Sequence, residues 1–497
     1  MFKVIKIFFL FFLFTVNSLI GFTSVIQGDG KSFKGEIVKL KIYSNPISRV
    51  LEEISRDTID ASGTFELKAD IKEVTYATIL IKNIYFSIYL EPNSTYKVLI
   101  PSKSEVLDGD PEVRLKAFLP IELYANIINQ DSNSLNYKIA SFNEFYNDFL
   151  IKNKKDLINT RNKKLIESFK AIIDKNYSNV KFEYLKNLIQ YRIASLEMME
   201  QLHSSKGAIN IYFNKKPILY NNDEYIEFFH NFFEKYLLKL SKGKSRDTII
   251  SAINKEKSYV SLIKIMANDS TLLMNDTLRE FVMIKGLQEI YGYSDFKKEG
   301  IIEILMFISK NSNVEIHKKI AASIIKELTY LQPGSKAPEF KVVDLNNNTR
   351  TLSSYKGKMV YINFFACWNV KSIEELKAID TIQKKYGDKV EFVNISTDDS
   401  LNEIKDAISN YKIKQNIYHF GIDKDIIDLY NIKSIPSSVL IDEFGNIIAC
   451  PALKPSENML GYLNKLFDAR DLENLRKLEE LKSKKLKDKV DDINNNR

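Results

Sequence analysis

Two cysteines, Cys367 and Cys450, are all that the 497 residues contain. A chain this long with so few thiols has no disulfide framework, so its stability must come from apolar cores. Histidine is nearly as scarce. His203, His230, His317 and His419 are scattered, and none has a partner at metal-ligand spacing, so no zinc or copper site is indicated. Each is expected on the surface or half buried. Beyond the first 24 residues no stretch is long and apolar enough to span a bilayer, and no cofactor-binding signature is found. The formal charge is +8, or +6 without Lys3 and Lys6. It is spread through Lys-rich segments, which fits a solvated surface better than a nucleic-acid groove, and no nucleic-acid-reading motif accompanies it.

What the chain does have suits large cores: 44% hydrophobic and 27% charged residues, with 26 Tyr and 31 Phe. The length implies two to four domains. The start has the parts of a secretory signal. Lys3 and Lys6 supply the charged region, Ile7 to Val16 the apolar core, and Gly21, Thr23 and Ser24 a place to cut. The apolar run is about half the ~20 residues of a spanning helix, and Asn17 and Ser18 break it. A cleaved leader over residues 1–24 is therefore expected, with an uncleaved anchor as the rival. No Cys stands near the cut for lipid attachment.

Residues 25–117 read as strands. Segments 36–43 and 64–69 approximate apolar/polar alternation, and 75–81, 85–90 and 95–100 are further candidates. Turn formers at Asp60-Ala-Ser-Gly63 and Glu91-Pro-Asn-Ser94 separate several of them. This spacing predicts a small β-sandwich. Residues 118–332 turn helical. Leu135, Ile139, Phe142, Phe145, Tyr146 and Phe149 share one helix face. Similar periodicity covers 160–175, 178–202, 223–240, 270–291, 297–309 and 313–331, predicting a central all-α domain. His230 falls in a Phe-rich stretch and reads as a helix surface residue beside an aromatic core. Pro333-Gly334 breaks the pattern. From 333 to 467 short apolar strands alternate with helices, which is α/β behaviour. The stretch 468–497 is a charged tail. Leu472, Leu475, Leu478 and Leu481 give it a thin apolar stripe, which suits a frayed surface helix or, less well, a partner-binding one.

Several ordered landmarks in the α/β segment carry a family resemblance. They are Pro333-Gly-Ser-Lys-Ala-Pro-Glu-Phe340, the hairpin and loop over 344–358, Val360-Tyr-Ile-Asn-Phe-Phe-Ala-Cys-Trp368, Phe392-Val-Asn-Ile-Ser396, and Tyr430-Asn-Ile-Lys-Ser-Ile-Pro-Ser-Ser-Val-Leu-Ile-Asp442 with Phe444-Gly445-Asn446. In this order the segment resembles the TlpA/ResA-like branch of the thioredoxin superfamily, which implies a C-terminal thioredoxin-like fold. In that family a Trp precedes Cys-x-x-Cys at a helix start. By position Trp368 matches the tryptophan, Asn369 the attacking cysteine and Ser372 the resolving one, with Val370 and Lys371 between. A helix N-terminus stabilises a thiolate, and that thiolate attacks a disulfide. An amide and a hydroxyl cannot do this, so the family's exchange chemistry is not expected here. Asn and Ser are instead good helix caps, and Ser372-Ile-Glu-Glu375 reads as a capping box. Lys377 stands where the family has a proline, which leaves the helix's early kink open.

Cys367 lies two residues before the attacking position, where the family commonly has Thr or Ser. It reads either as a small half-buried residue or as the sole thiol of a displaced single-cysteine oxidoreductase or peroxidase. A Cys367–Cys450 disulfide is disfavoured, because bridging needs Cα atoms within about 7 Å. Pro436, after Ile435 and before Ser437, resembles the family's cis-proline, whose loop faces the redox motif and pairs with substrate peptide. Here it either binds extended peptide by strand addition or only maintains the fold. The Asp60–Leu67 turn, Leu90–Thr95 and Ser134-Leu-Asn136 resemble the sandwich plus helical insert that precedes such domains in exported proteins of Bacteroidetes-type bacteria. The expected protein is thus multidomain and exported. Its expected role is binding a peptide or an exported protein partner, with a single-cysteine enzyme as the alternative. Its oligomeric state is left open.

Overall fold

The computed structural model describes residues 22–82, 84–102, 121–159, 162–243, 245–269, 272, 275–398, 401–421, 425–472 and 480. Most of the expected leader, the boundary at 117–118, and Leu475, Leu478 and Leu481 lie outside them. The chain divides into two units, Met1–Ile320 and Ala321–Arg497.

Among the described residues of the first unit nine strands form two sheets: β1 (Thr23–Asp29), β2 (Ile37–Tyr43), β3 (Leu51–Thr58), β4 (Thr64–Asp70), β5 (Thr75–Ile81), β6 (Ile84–Leu90), β7 (Thr95–Leu99), β8 (Ile121–Tyr124) and β9 (Asn126–Ile127). One sheet runs β4-β1-β7-β9 and the other β3-β2-β5-β6-β8. Alternation does the sorting. Phe65, Leu67 and Ala69 of β4, Tyr96 and Val98 of β7, and Ile84, Phe86, Ile88 and Leu90 of β6 all enter one shared core. Gly28 of β1 faces Phe65, whose ring lies where a Cβ would sit, 1.9 Å from that position. Any side chain there would have to displace that buried ring. The first strand takes in Thr23 and Ser24, and the Ser24 hydroxyl donates to the Glu91 carbonyl at 2.6 Å.

The helices that follow are α1 (Leu135–Lys152), α2 (Lys154–Asn159), α3 (Lys163–Tyr177), α4 (Glu183–Met199), α5 (Ser205–Tyr212), α6 (Asp223–Phe232), α7 (Tyr236–Leu240), α8 (Arg246–Asn254), α9 (Tyr259–Ala267), α10 (Asp276–Ile290), α11 (Lys298–Asn311) and α12 (Glu315–Thr329). The predicted helical run 223–240 is two helices, interrupted where Lys235 takes a left-handed φ of 51°. Helix α10 is buried on nearly every side, Arg279, Glu280 and Lys285 included. Such a helix is stable only if its charges find partners. Arg279 Nη2 donates to the Leu272 carbonyl at 2.9 Å, and Lys285 pairs with Glu289. Glu280 accepts from the Tyr259 hydroxyl at 2.7 Å and from Ser312, and lies 2.6 Å from His317 Nδ1. His317 is therefore fully enclosed, at 0% exposure, and His419 nearly so. This corrects the expectation for His317 and His419, whose rings are hydrogen-bonded to buried Glu280 and to the Asp398 carbonyl, while His203 is exposed and His230 half buried as expected.

Side chains join sheet to helices within this unit. The Asn136 amide pairs with both backbone groups of Tyr89 at 2.8 Å, like one more residue of a strand. His230 Nε2 lies 2.9 Å from the Pro46 carbonyl, so this residue sits at the sheet–helix seam.

The second unit contains β10 (Lys341–Asp344), β11 (Thr349–Thr351), β12 (Met359–Phe365), α13 (Val370–Tyr386), β13 (Val390–Ser396), α14 (Leu401–Tyr411), β14 (Ile417–His419), α15 (Asp425–Leu429), β15 (Ser437–Ile441) and β16 (Ile447–Ala449), then a helix over 459–472. The sheet order is β11-β10-β14-β13-β12-β15-β16, with β12, β13 and β14 parallel and β15 antiparallel to β12. Central strand β12 is buried at all seven positions, as a sheet covered on both faces requires. Val360, Ile362 and Phe364 enter the core shared with α15, whereas Met359, Tyr361 and Phe365 enter the one shared with α13 and α14. Leu331, just past α12, packs into the former.

Candidate functional site

The site lies where β12 ends and α13 begins. Ala366 to Asn369 form a tight connection, with the Asn369 N–H donating to the Ala366 carbonyl at 3.1 Å. Asn369 is the helix cap. Its backbone is extended (φ −99°, ψ 109°), and its side-chain oxygen accepts from the Ser372 N–H at 3.2 Å. The other half of the same amide, Nδ2, donates to the Ile435 carbonyl at 3.2 Å. One side chain thus finishes the helix and ties it to the loop whose Ile435–Pro436 peptide is cis.

Ser372 lies inside the first turn of α13, at 0% exposure, and its hydroxyl has no partner among the described residues. The expected capping box beginning at Ser372 is thereby overturned. The cap comes three residues earlier, and Glu375 turns away to accept from Ser456 N at 2.9 Å and from its hydroxyl. Lys377 leaves α13 continuous over 17 residues and places its ammonium 5.8 Å from the Tyr411 ring. Lys371 is exposed. Trp368 and Val370 are also open to solvent, at 48% and 69%. Ile435, Pro436 and Ser437 are half buried, and Ser437 enters β15 opposite Phe364.

Cys367 is free and partly buried against the α13-side core. Its N–H donates to the carboxylate of Asp398, at 2.8 Å to Oδ2 and 3.1 Å to Oδ1. Ser396 holds the same carboxylate through its hydroxyl at 2.6 Å. Burial, followed by the negative charge of Asp398, pushes the Cys367 thiol well above its ordinary range. Cys450 is also free; burial raises its thiol to about 11. It packs on the opposite side of the sheet from Cys367. Asp398 was not foreseen from the sequence; its one signal was an acid directly after the β13 strand, in Ser396-Thr-Asp398.

A model of the AhpC/TSA family matches residues 333–450. The thiol-disulfide oxidoreductase ResA of Bacillus cereus is 31% identical over 140 residues, which are 27% of this chain and 79% of that protein. The thioredoxin-like protein YneN of Bacillus subtilis is 32% identical over 121 residues, 24% of this chain and 69% of that protein. Among solved structures, the thioredoxin domain of a thiol-disulfide oxidoreductase from Bacteroides vulgatus matches at 26% identity, covering 27% of this chain and 97% of that one, with a TM-score of 0.25. All these likenesses fall on about a quarter of the chain. Through that segment, the chain belongs to the ResA-like thiol-disulfide oxidoreductases of the thioredoxin superfamily.

Proposed function

We propose that this chain is an exported, redox-silent member of its family that holds an extended peptide or a protein partner. In this reading the thioredoxin-like domain follows a β-sandwich domain and an all-α domain. Export rests on the leader-like first 24 residues. The observation that carries redox silence is the state of the two positions that match the family's cysteines. Asn369 is spent as helix cap and loop tie, and Ser372 is sealed in the first turn. Neither side chain can form a sulfur anion or share a disulfide. Binding is supported by the open Trp368 and Val370 beside the loop Ile435-Pro436-Ser437. An exposed aromatic beside an apolar side chain is surface that a bound peptide or partner can cover. A single-cysteine enzyme built on Cys367 has less support, because its thiol is held protonated.

The experiment is disulfide-reductase turnover of the chain beside Cys367→Ser and the double variant Asn369→Cys/Ser372→Cys. Silence in the wild type with activity in the double variant supports the reading. Wild-type turnover that vanishes with Cys367→Ser overturns it in favour of the single-cysteine enzyme.

A further inference from the structure

We propose that the cleft between β2/β5 and helices α6 and α12 in the first unit is a binding site for a small monoanionic carboxylate with a flat apolar body. It is independent of the peptide-binding reading and uses none of the same residues. The cleft holds about 190 Å3, and Tyr43, Arg49, Tyr76, Tyr220, Asp223 and Lys319 are among its walls.

Arg49 brings a guanidinium to the cleft wall. The loop after β2 is a fixed turn. The Asn45 side-chain oxygen accepts from the Ile47 and Ser48 N–H groups at 2.9 Å, and the Arg49 N–H donates to the Asn45 carbonyl at 3.1 Å. Arg49 takes a left-handed φ of 50°, which a side-chain-bearing residue adopts at a cost. Its guanidinium is laid over the Tyr43 ring, 4.6 Å from the centroid. Its Nη2 donates to the Tyr43 hydroxyl at 3.3 Å and lies 3.7 Å from Asp223 Oδ1. Nε and Nη1 have no acceptor among the described residues. A guanidinium held at Nη2 keeps the N–H groups of Nε and Nη1, which lie on different edges, so each can donate a single charge-assisted hydrogen bond to a carboxylate.

The rest of the wall sets the ligand's class. Tyr43 and Tyr76 are stacked at 5.5 Å and 14°, and Tyr220 is fixed by His317 Nε2 at 2.7 Å. Together they offer flat apolar surface with little rotamer freedom left to lose. Lys319 is exposed at the cleft and makes no ion pair among the described residues, so it adds a second positive charge. Asp223, behind Nη2, penalises a second negative charge on the ligand. A carboxylate monoanion is therefore favoured over a phosphate dianion. The cleft's volume limits the body to roughly one ring or a short chain.

The test is calorimetric titration of the full chain near neutral pH with phenylacetate and benzoate, against phenylacetamide and inorganic phosphate at matched ionic strength. At least one carboxylate should bind saturably, with phenylacetamide and phosphate about tenfold weaker or more. Lys319→Gln, a change at an exposed residue, should weaken the carboxylate about two- to fivefold, and Arg49→Gln about tenfold or more with partial recovery in Arg49→Lys. Failure of both carboxylates to saturate by about 10 mM, or binding of phenylacetamide as tight as of phenylacetate, overturns the proposal. So does binding that neither Lys319→Gln nor Arg49→Gln alters.

Discussion

The side-chain amide of Asn369 joins the Ser372 N–H to the Ile435 carbonyl, accepting from the first and donating to the second at 3.2 Å each. A thiol at that position could do neither as well. The residue aligned with a reactive sulfur has become a structural staple between a helix and a loop.

Three substitutions separate the two halves of that staple. Asn369→Ala loses the cap and the tie, and is expected to cost about 1–3 kcal/mol in denaturant unfolding. Asn369→Asp keeps an acceptor at the helix start but cannot donate to Ile435, so it should cost less than alanine. Ser372→Ala should be neutral or stabilising by up to about 1 kcal/mol, because it removes a buried hydroxyl that has no partner. A clear loss in Ser372→Ala would reinstate serine as the cap.

Cys367 should alkylate slowly near neutral pH in the folded chain. Asp398→Asn removes the adjacent negative charge while keeping the side chain's shape. The thiol's pKa should fall and iodoacetamide labelling should accelerate by roughly tenfold per unit of that fall. An unchanged labelling rate would leave burial as the whole cause.

The seam between sheet and helices should respond to acid through His230. Burial, opposed by the bond to the Pro46 carbonyl, holds its imidazole below its ordinary 6.5. The unfolded chain then takes the proton first. The group's contribution is present above 6.5 and is lost as pH falls through the lower folded value. Urea midpoints of wild type and His230→Gln, compared across that window, should converge as pH falls. Parallel curves would mean that the histidine does not titrate there.

Glu280 is the acceptor for three neighbours, so truncating it strands all of them. Glu280→Ala is expected to cost about 3–5 kcal/mol. Hydrogen bonds from His317, Ser312 and Tyr259 outweigh burial and hold the Glu280 carboxyl below its ordinary 4.5. Its stabilisation is therefore present above 4.5 and lost as pH falls through the folded value. Calorimetric melting of the two proteins at neutral and acid pH checks both parts.

How much was legible varied with the kind of signal. The ordered landmarks from Pro333 to Asn446 were enough to place β12, β13 and β15, because a central strand such as β12 is a continuous apolar run, whereas the three-residue β14 fell between landmarks and was not read. In the first unit, β1, β3, β8 and β9 were missed, the last two lying inside the stretch 118–332 read as helical; β3, Leu51-Glu-Glu-Ile-Ser-Arg-Asp-Thr58, has only two apolar residues and half-exposed alternation. The short helices α5, α8 and α9 were also unread, since eight or nine residues hold barely two turns of periodicity. The break before Lys235 has no local signature, because the Phe-rich pattern runs straight through it.

At the site, the helix start was expected and its register was misread. Asn369-x-x-Ser372 and Ser372-x-x-Glu375 both satisfy a local capping rule. Only the position of β12's end and the Ile435 carbonyl decides between them. Asp398 and Ser456 were invisible for the same reason. Each acts on a residue 31 or 81 positions away, and no local pattern encodes such a meeting.

The two sulfurs sit on opposite faces of one sheet, and both are free. No covalent loop is closed anywhere along the backbone by them, so the polypeptide is topologically an open string. Pulled from its ends, every residue of the second unit would contribute its full extended reach of about 3.3–3.6 Å, oxidised surroundings or not. An oxidant strong enough to couple these thiols would have to join one molecule to another.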